Sequence, residues 1–124
     1  MKLTDEAKTD ILNFVMKQVA AIENKEYQKR VWIHGKGPEC DDFTETACHF
    51  LHEGTGVLEK YKDFGITDNQ YQLLKKLRDA FEAFSQENDW PQEFIDTPEW
   101  QRIVAMAKEV LDAFNYRESG KTSL

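Results

Sequence analysis

Apolar side chains recur every three or four residues in four stretches of this chain, which is the spacing of an amphipathic helix. The stretches span residues 4–22, 42–61, 67–84 and 97–114. Strand-like alternation of apolar and polar residues is nearly absent. Because each helix has one apolar face to bury against the others, the pattern predicts an all-α fold, a compact bundle of four to five helices.

Helix start signals precede these stretches. Two of them are strong: Thr67 is followed three residues later by Gln70, as in a capping box, and Pro98 occupies the first position of the last helix. Asp42 with Glu45 has the same spacing as a capping box. The predicted N-cap residues are Thr4, Asp42, Thr67 and Thr97.

The segments between the helices lack a clear period. Residues 31–33 are predicted to be a short extended piece within a loop that spans residues 23–38, and residues 85–96 an irregular connection. Gly54 and Gly56 interrupt the second helix, and each costs about 1 kcal/mol relative to alanine in a helix interior. We therefore expect a break or kink there.

Length and composition suit a single domain. We assign residues 1–116 to the helical domain and residues 117–124 to a polar tail. The chain has 23 acidic and 16 basic side chains, a net charge of −7, which disfavours binding to nucleic acid and to anionic membranes. Residues 1–6 turn polar at once, unlike a signal peptide, and Cys40 and Cys48 lie beyond disulfide reach if both are helical. These features predict a cytoplasmic protein with reduced thiols.

Residues 39–54 concentrate two cysteines, two histidines and five carboxylates. On a helical wheel Asp42, Glu45, His49 and His52 point outward together, while Cys48 lies at the flank and is expected to be partly buried. One interpretation is a metal site built from Glu45, His49 and His52. Their spacing matches no structural zinc pattern, so we predict that the chain has no cofactor and no bound metal.

Catalytic chemistry has little support in the sequence. Cys48 and His49 are neighbours in sequence, and neighbours on a helix diverge by about 100°, so they do not form a nucleophilic dyad. We predict a protein that is not an enzyme and has no catalytic residues.

Charge suggests a different role for the same region. Residues 39–63 contain seven acidic and two basic side chains, and the second helix is predicted to be the most concentrated negative feature of the chain. Such a surface can attract a basic protein partner. It can equally serve only to keep a small protein in solution.

Three segments resemble a known group of proteins: "RVWIHGKGPECDDFTETACHFL", "LEKYKDFGITDNQYQLLKKL" and "TPEWQRIVAMAKEVLDAFNY". They are similar to small bacterial immunity proteins of polymorphic toxin systems, including contact-dependent growth inhibition. The resemblance covers most of residues 30–116 and carries over no functional residue. It implies a cytoplasmic inhibitor without enzymatic activity, bound to one cognate toxin domain, often a basic nuclease.

The sequence hypothesis is therefore an immunity protein that occludes a toxin's active site with an acidic face. Two other functions stay open: a metal-binding helical protein or metal-dependent hydrolase, and a regulatory adaptor bundle. Carboxylates and histidines of the second helix are predicted to contact the partner, with two tryptophans as aromatic anchors. The predicted partner-binding residues are Asp41, Asp42, Glu45, His49, His52, Glu53, Trp32 and Trp90.

Overall fold

The computed structural model describes residues 3–38 and 41–116, and over these two ranges the backbone is largely helical and forms no strand. The all-α prediction is confirmed. The predicted tail, residues 117–124, lies outside the described residues. The helices are α1 (Asp5–Glu23), α2 (Lys25–Tyr27), which continues into a π-helical turn (Gln28–Ile33), α3 (Phe43–Glu59), α4 (Asp68–Glu87), α5 (Pro91–Phe94) and α6 (Pro98–Ala113).

The four long helices form an up-down-up-down bundle. Each packs against two others, in the cyclic order α1, α3, α4, α6 and back to α1. The end of α6 meets the start of α4, where the side-chain Nε2 of Gln70 donates to the carbonyl oxygen of Ala113 at 3.0 Å. Across the described ranges, none of the helices has the length and apolar character needed to cross a bilayer.

Aromatic side chains fill one end of the bundle, where α1 and α4 end and α3 and α6 begin. Trp100 is fully buried there, with ring centroids 4.8 Å from Phe94 and 6.3 Å from Phe81. Phe43, the first residue of α3, lies 4.8 Å from Phe94 and 5.5 Å from Trp32. Tilted and edge-on ring pairs at these distances add to the stability from burial. We call this region the aromatic end.

All four predicted N-caps are present in the structure. The side chains of Thr4, Asp42, Thr67 and Thr97 each accept a hydrogen bond from a backbone N–H three residues later. Thr67 and Gln70 form the complete reciprocal capping box. These bonds satisfy N–H groups that the first turn of a helix leaves without a partner.

The predicted break at Gly54 and Gly56 is wrong, because α3 continues from Phe43 to Glu59. Gly54 is buried, and the neighbouring Thr55 accepts a hydrogen bond from Nε of Arg78 on α4 at 3.0 Å. Packing of α3 between α1 and α4 outweighs the cost of about 1 kcal/mol per glycine.

The extended piece predicted at residues 31–33 is also wrong, since these residues belong to the π-helical turn. The N–H of His34 donates to the carbonyl oxygen of Lys29 at 3.0 Å, five residues earlier. The wider turn buries Gln28, Val31 and Trp32 on the same side, against the core. The connection at residues 85–96 is likewise more ordered than expected, because it contains α5.

Candidate partner-binding surface

The outward side of α3 has the composition that the helical wheel predicts. Asp42, Glu45, His49 and His52 are all exposed. The imidazole Nε2 of His52 lies 3.7 Å from Oε1 of Glu53, and the His52 side chain is 84% exposed. These five residues are called the α3 face below.

Cys48 is exposed rather than partly buried, which corrects the expectation for this residue. It lies next to His49 on the solvent side of α3, where Thr46 and Phe50 occupy the buried positions. Cys40 lies outside the described residues.

Asp41 holds the fold together more than it offers a contact to a partner. Its carboxylate accepts hydrogen bonds from the hydroxyl of Tyr27 at 2.8 Å, from the indole N–H of Trp32 at 3.1 Å and from the hydroxyl of Thr46 at 3.0 Å. Thr46 is completely buried. Asp41 therefore ties α2 and the π-helical turn to the start of α3.

Asp42 is exposed but has a structural role as well. Its Oδ1 accepts a hydrogen bond from the backbone N–H of Glu45 at 2.8 Å and so caps α3. A carboxylate at this position also interacts favourably with the positive end of the helix. Its negative charge still faces solvent and contributes to the field of the α3 face.

Phe14 of α1 extends the α3 face, and sequence reasoning missed it. Its ring meets the imidazole ring of His49 edge-on, with centroids 5.4 Å apart and an interplanar angle of 80°. Phe14 is 37% exposed, one of three large hydrophobic side chains with such exposure among the described residues. The signal was present in the sequence, because Phe14 lies off the buried stripe of α1 that contains Val15 and Val19.

The two proposed tryptophan anchors differ in exposure. Trp32 is only 8% exposed and contacts Trp100 and Phe43 in the core, so it offers little surface to a partner and the expectation of an exposed anchor is corrected. Trp90 is 57% exposed at the start of α5.

The metal interpretation gains no support from the geometry. Among residues 3–38 and 41–116, the structure brings together no group of three histidine, cysteine, aspartate or glutamate side chains that suits a metal ion. Glu45, His49 and His52 share one side of α3, but the ring of His49 is packed against Phe14.

A second run of acidic side chains lies outside α3. Residues 79–101 contain seven acidic side chains and no Lys, Arg or His, while the remaining 101 residues have 16 acidic and 16 basic side chains. The whole net charge of −7 thus arises between the middle of α4 and the first turn of α6. Residues 39–63, which are predicted to be the most concentrated negative feature, have a net charge of −5.

Three of these seven carboxylates are paired with cations. Arg78 contacts Asp79 and Glu82, each at 3.0 Å, and Lys25 contacts Asp96 at 2.6 Å. Hydrogen bonds from Lys75 and Arg78 lower the pKa of Asp79, and a hydrogen bond from Lys25 lowers that of Asp96.

Comparison with models of protein families, with curated proteins and with solved structures finds no match for this chain.

Proposed function

We propose that this chain is a binding protein without enzymatic activity, which neutralises a cognate bacterial toxin domain by covering a basic surface of that domain. The α3 face and Phe14 form the docking surface. The observation that carries the proposal is the contact between Phe14 and His49, which places an exposed aromatic ring against α3, the helix that also carries the exposed carboxylates of the α3 face.

An apolar ring surrounded by charge is a common arrangement at protein interfaces. Aromatic side chains near the centre of an interface supply much of the binding energy, and charged groups around them favour the correct partner. Phe14 has the first role here. Glu45 and Glu53 have the second, because their carboxylates match Lys and Arg side chains on a partner.

The toxin class follows from charge and from the resemblance to immunity proteins. A nuclease domain needs cationic side chains to hold the phosphates of its substrate. Carboxylates of the α3 face would replace those phosphates and exclude the nucleic acid. Inhibition would then require no chemical step in this chain.

Co-expression tests this function directly. The gene immediately upstream is expected to encode the toxin, and its C-terminal domain is expressed in a host with and without this chain. The proposal predicts growth arrest by the domain alone and normal growth with the chain present. An upstream product that leaves growth unaffected, or arrest that persists beside the chain, would contradict toxin neutralisation.

Charge reversal locates the docking surface. The double substitution Glu45→Lys/Glu53→Lys is expected to weaken binding to the toxin domain by tenfold or more, as for buried charge pairs at interfaces, and to abolish protection. Glu109→Lys/Asp112→Lys is the matched control, because both residues are exposed on α6 and the charge change is equal. Calorimetry measures affinity, and circular dichroism checks that helix content is unchanged.

Phe14 has its own matched control. Phe14→Ala is expected to weaken binding by about 30-fold, the range of an aromatic hot spot. Leu3 is exposed to nearly the same extent, 38% against 37%, so Leu3→Ala should leave affinity unchanged. Equal effects of the two substitutions would remove Phe14 from the docking surface.

A further inference from the structure

Trp90 is the most exposed of the large hydrophobic side chains in the described part of the chain. Its backbone is nevertheless held firmly. Pro91 and Phe94 are both buried, and the carbonyl oxygen of Trp90 accepts a hydrogen bond from the N–H of Glu93 at 2.9 Å. Packing of these neighbours in the core therefore fixes the backbone of Trp90, although its indole ring is exposed to solvent.

Three exposed carboxylates flank this ring in the sequence: Glu87 at the end of α4, Asp89 just before Trp90, and Glu93 one turn later in α5. Within residues 3–38 and 41–116, none of their carboxylates takes part in an ion pair or a side-chain hydrogen bond. They differ in this from Asp79, whose charge is balanced by Lys75 and Arg78.

We propose that Trp90, Glu87, Asp89 and Glu93 form a second docking surface, the Trp90 corner, which binds an arginine-bearing segment of a partner protein. This surface is separate from the α3 face, and the proposal does not depend on toxin neutralisation. It concerns the large hydrophobic side chain with the highest fractional exposure among the described residues, in a segment that contains seven acidic side chains and no basic one.

The negative charge and the exposed indole ring together determine which partner the Trp90 corner binds. Uncompensated carboxylates repel phosphate, so nucleic acid and anionic lipid are disfavoured, and they attract Lys and Arg. The exposed indole ring of Trp90 favours arginine over lysine. Arginine stacks its planar guanidinium on an aromatic ring and is more weakly hydrated than the lysine ammonium.

Two capped hexapeptides, one of arginine and one of lysine, serve as probes for binding to the full chain at low salt. Fluorescence anisotropy of a labelled peptide measures affinity. The wild-type chain is expected to bind the arginine peptide about two- to fivefold more tightly than the lysine peptide, as exposed cation–π contacts predict. Trp90→Ala should remove this preference. Glu87→Gln/Asp89→Asn/Glu93→Gln should weaken binding of both peptides about tenfold and reduce its dependence on salt.

Neutral variants at other surfaces separate this proposal from the α3 face. Glu109→Gln/Asp112→Asn should leave peptide affinity and the arginine preference unchanged. Glu45→Gln/Glu53→Gln should weaken peptide binding much less than the triple variant does and should leave the arginine preference unchanged. If Glu45→Gln/Glu53→Gln weakens peptide binding as much as the triple variant does, the peptides occupy the α3 face and the Trp90 corner is excluded. The proposed function would survive that result.

Other results also overturn the proposal. These are an absence of peptide binding, and equal affinity for the two peptides in the wild-type chain. A third is a dimer in sedimentation that Trp90→Ala dissociates, because the occupant would then be a second copy of this chain. Circular dichroism of each variant confirms that a lost preference does not reflect unfolding.

Discussion

The indole N–H of Trp100 donates a hydrogen bond to Oε1 of Gln28 at 3.0 Å, and both side chains are fully buried. The side-chain Nε2 of Gln28 donates in turn to the carbonyl oxygens of Ala21 and Ile22, at 2.9 and 2.6 Å. These carbonyls lie in the last turn of α1, where helical partners are lacking. One buried amide thus joins the end of α1 to the start of α6.

Gln28→Leu is expected to lower the free energy of unfolding by about 3 kcal/mol, because it leaves a buried N–H and two carbonyls without partners. Gln101→Leu is the control. Gln101 also donates to a backbone carbonyl, that of Ile95 at 2.9 Å, but it is exposed. Its replacement is therefore expected to lower the free energy of unfolding by only about 0.5 kcal/mol. Urea denaturation measures both. Similar losses in the two variants would show that burial does not set the cost.

Asp41 and Asp42 are adjacent acids with different predicted costs of removal. Asp41→Ala leaves the donors of Tyr27, Trp32 and Thr46 without their acceptor and should cost about 3 kcal/mol. Asp42→Ala removes only a helix cap and should cost about 1 kcal/mol. Thermal unfolding measures the loss of stability in each variant. A larger loss for Asp42→Ala than for Asp41→Ala would contradict the structural role given to Asp41.

Glycine substitutions test the continuity of α3. A Cβ atom at Gly54 would lie 3.7 Å from the Phe50 ring, an ordinary contact, and one at Gly56 would meet nothing within 4 Å. Gly54→Ala and Gly56→Ala should therefore each raise the free energy of unfolding by about 0.5–1 kcal/mol. Gly65→Ala should lower it, because φ at Gly65 is +71°. A loss of stability at Gly56 would indicate that α3 is interrupted.

The ion pair between Lys25 and Asp96 gives a prediction for pH. Since the pKa of Asp96 is lowered in the folded state, the pair contributes stability above the pKa of an unfolded aspartate. That contribution disappears as the pH falls through the lower pKa of the folded state. Carbon-detected NMR titration should place the Asp96 pKa below its usual range, and Lys25→Met should raise it.

Lys75→Met is the control for this titration, because Lys75 pairs with Asp79 and not with Asp96. It should raise the pKa of Asp79 and leave that of Asp96 unchanged. An ordinary Asp96 pKa in the wild-type chain would contradict the ion pair.

Local signals predicted the helices well and the connections poorly. Thr67 and Gln70 are separated by three residues, so their capping box was visible in the sequence. The continuity of α3 through Gly54 was not visible, because it depends on packing against α1 and α4. The π-helical turn likewise includes a long-range contact, since its residue Gln28 accepts a hydrogen bond from Trp100, 72 residues away.

For the candidate surface too, the sequence predicted what depends on helical spacing and missed what depends on tertiary contacts. Helical spacing predicted that Glu45, His49 and His52 face solvent together. It did not predict the contact of His49 with Phe14, because the pairing of α1 with α3 is a tertiary property. The role of Asp41 was hidden for the same reason, since two of its three donors lie before residue 33.

The uneven distribution of charge has a further consequence for how molecules meet. The end of α4, α5 and the start of α6 carry the carboxylates that give the chain its entire net charge. At the Trp90 corner, Glu87, Asp89 and Glu93 have no cationic partner among the described residues, so the electrostatic field around this corner is negative. A cationic protein that diffuses toward it is rotated by this field before contact, so productive orientations are enriched among early collisions.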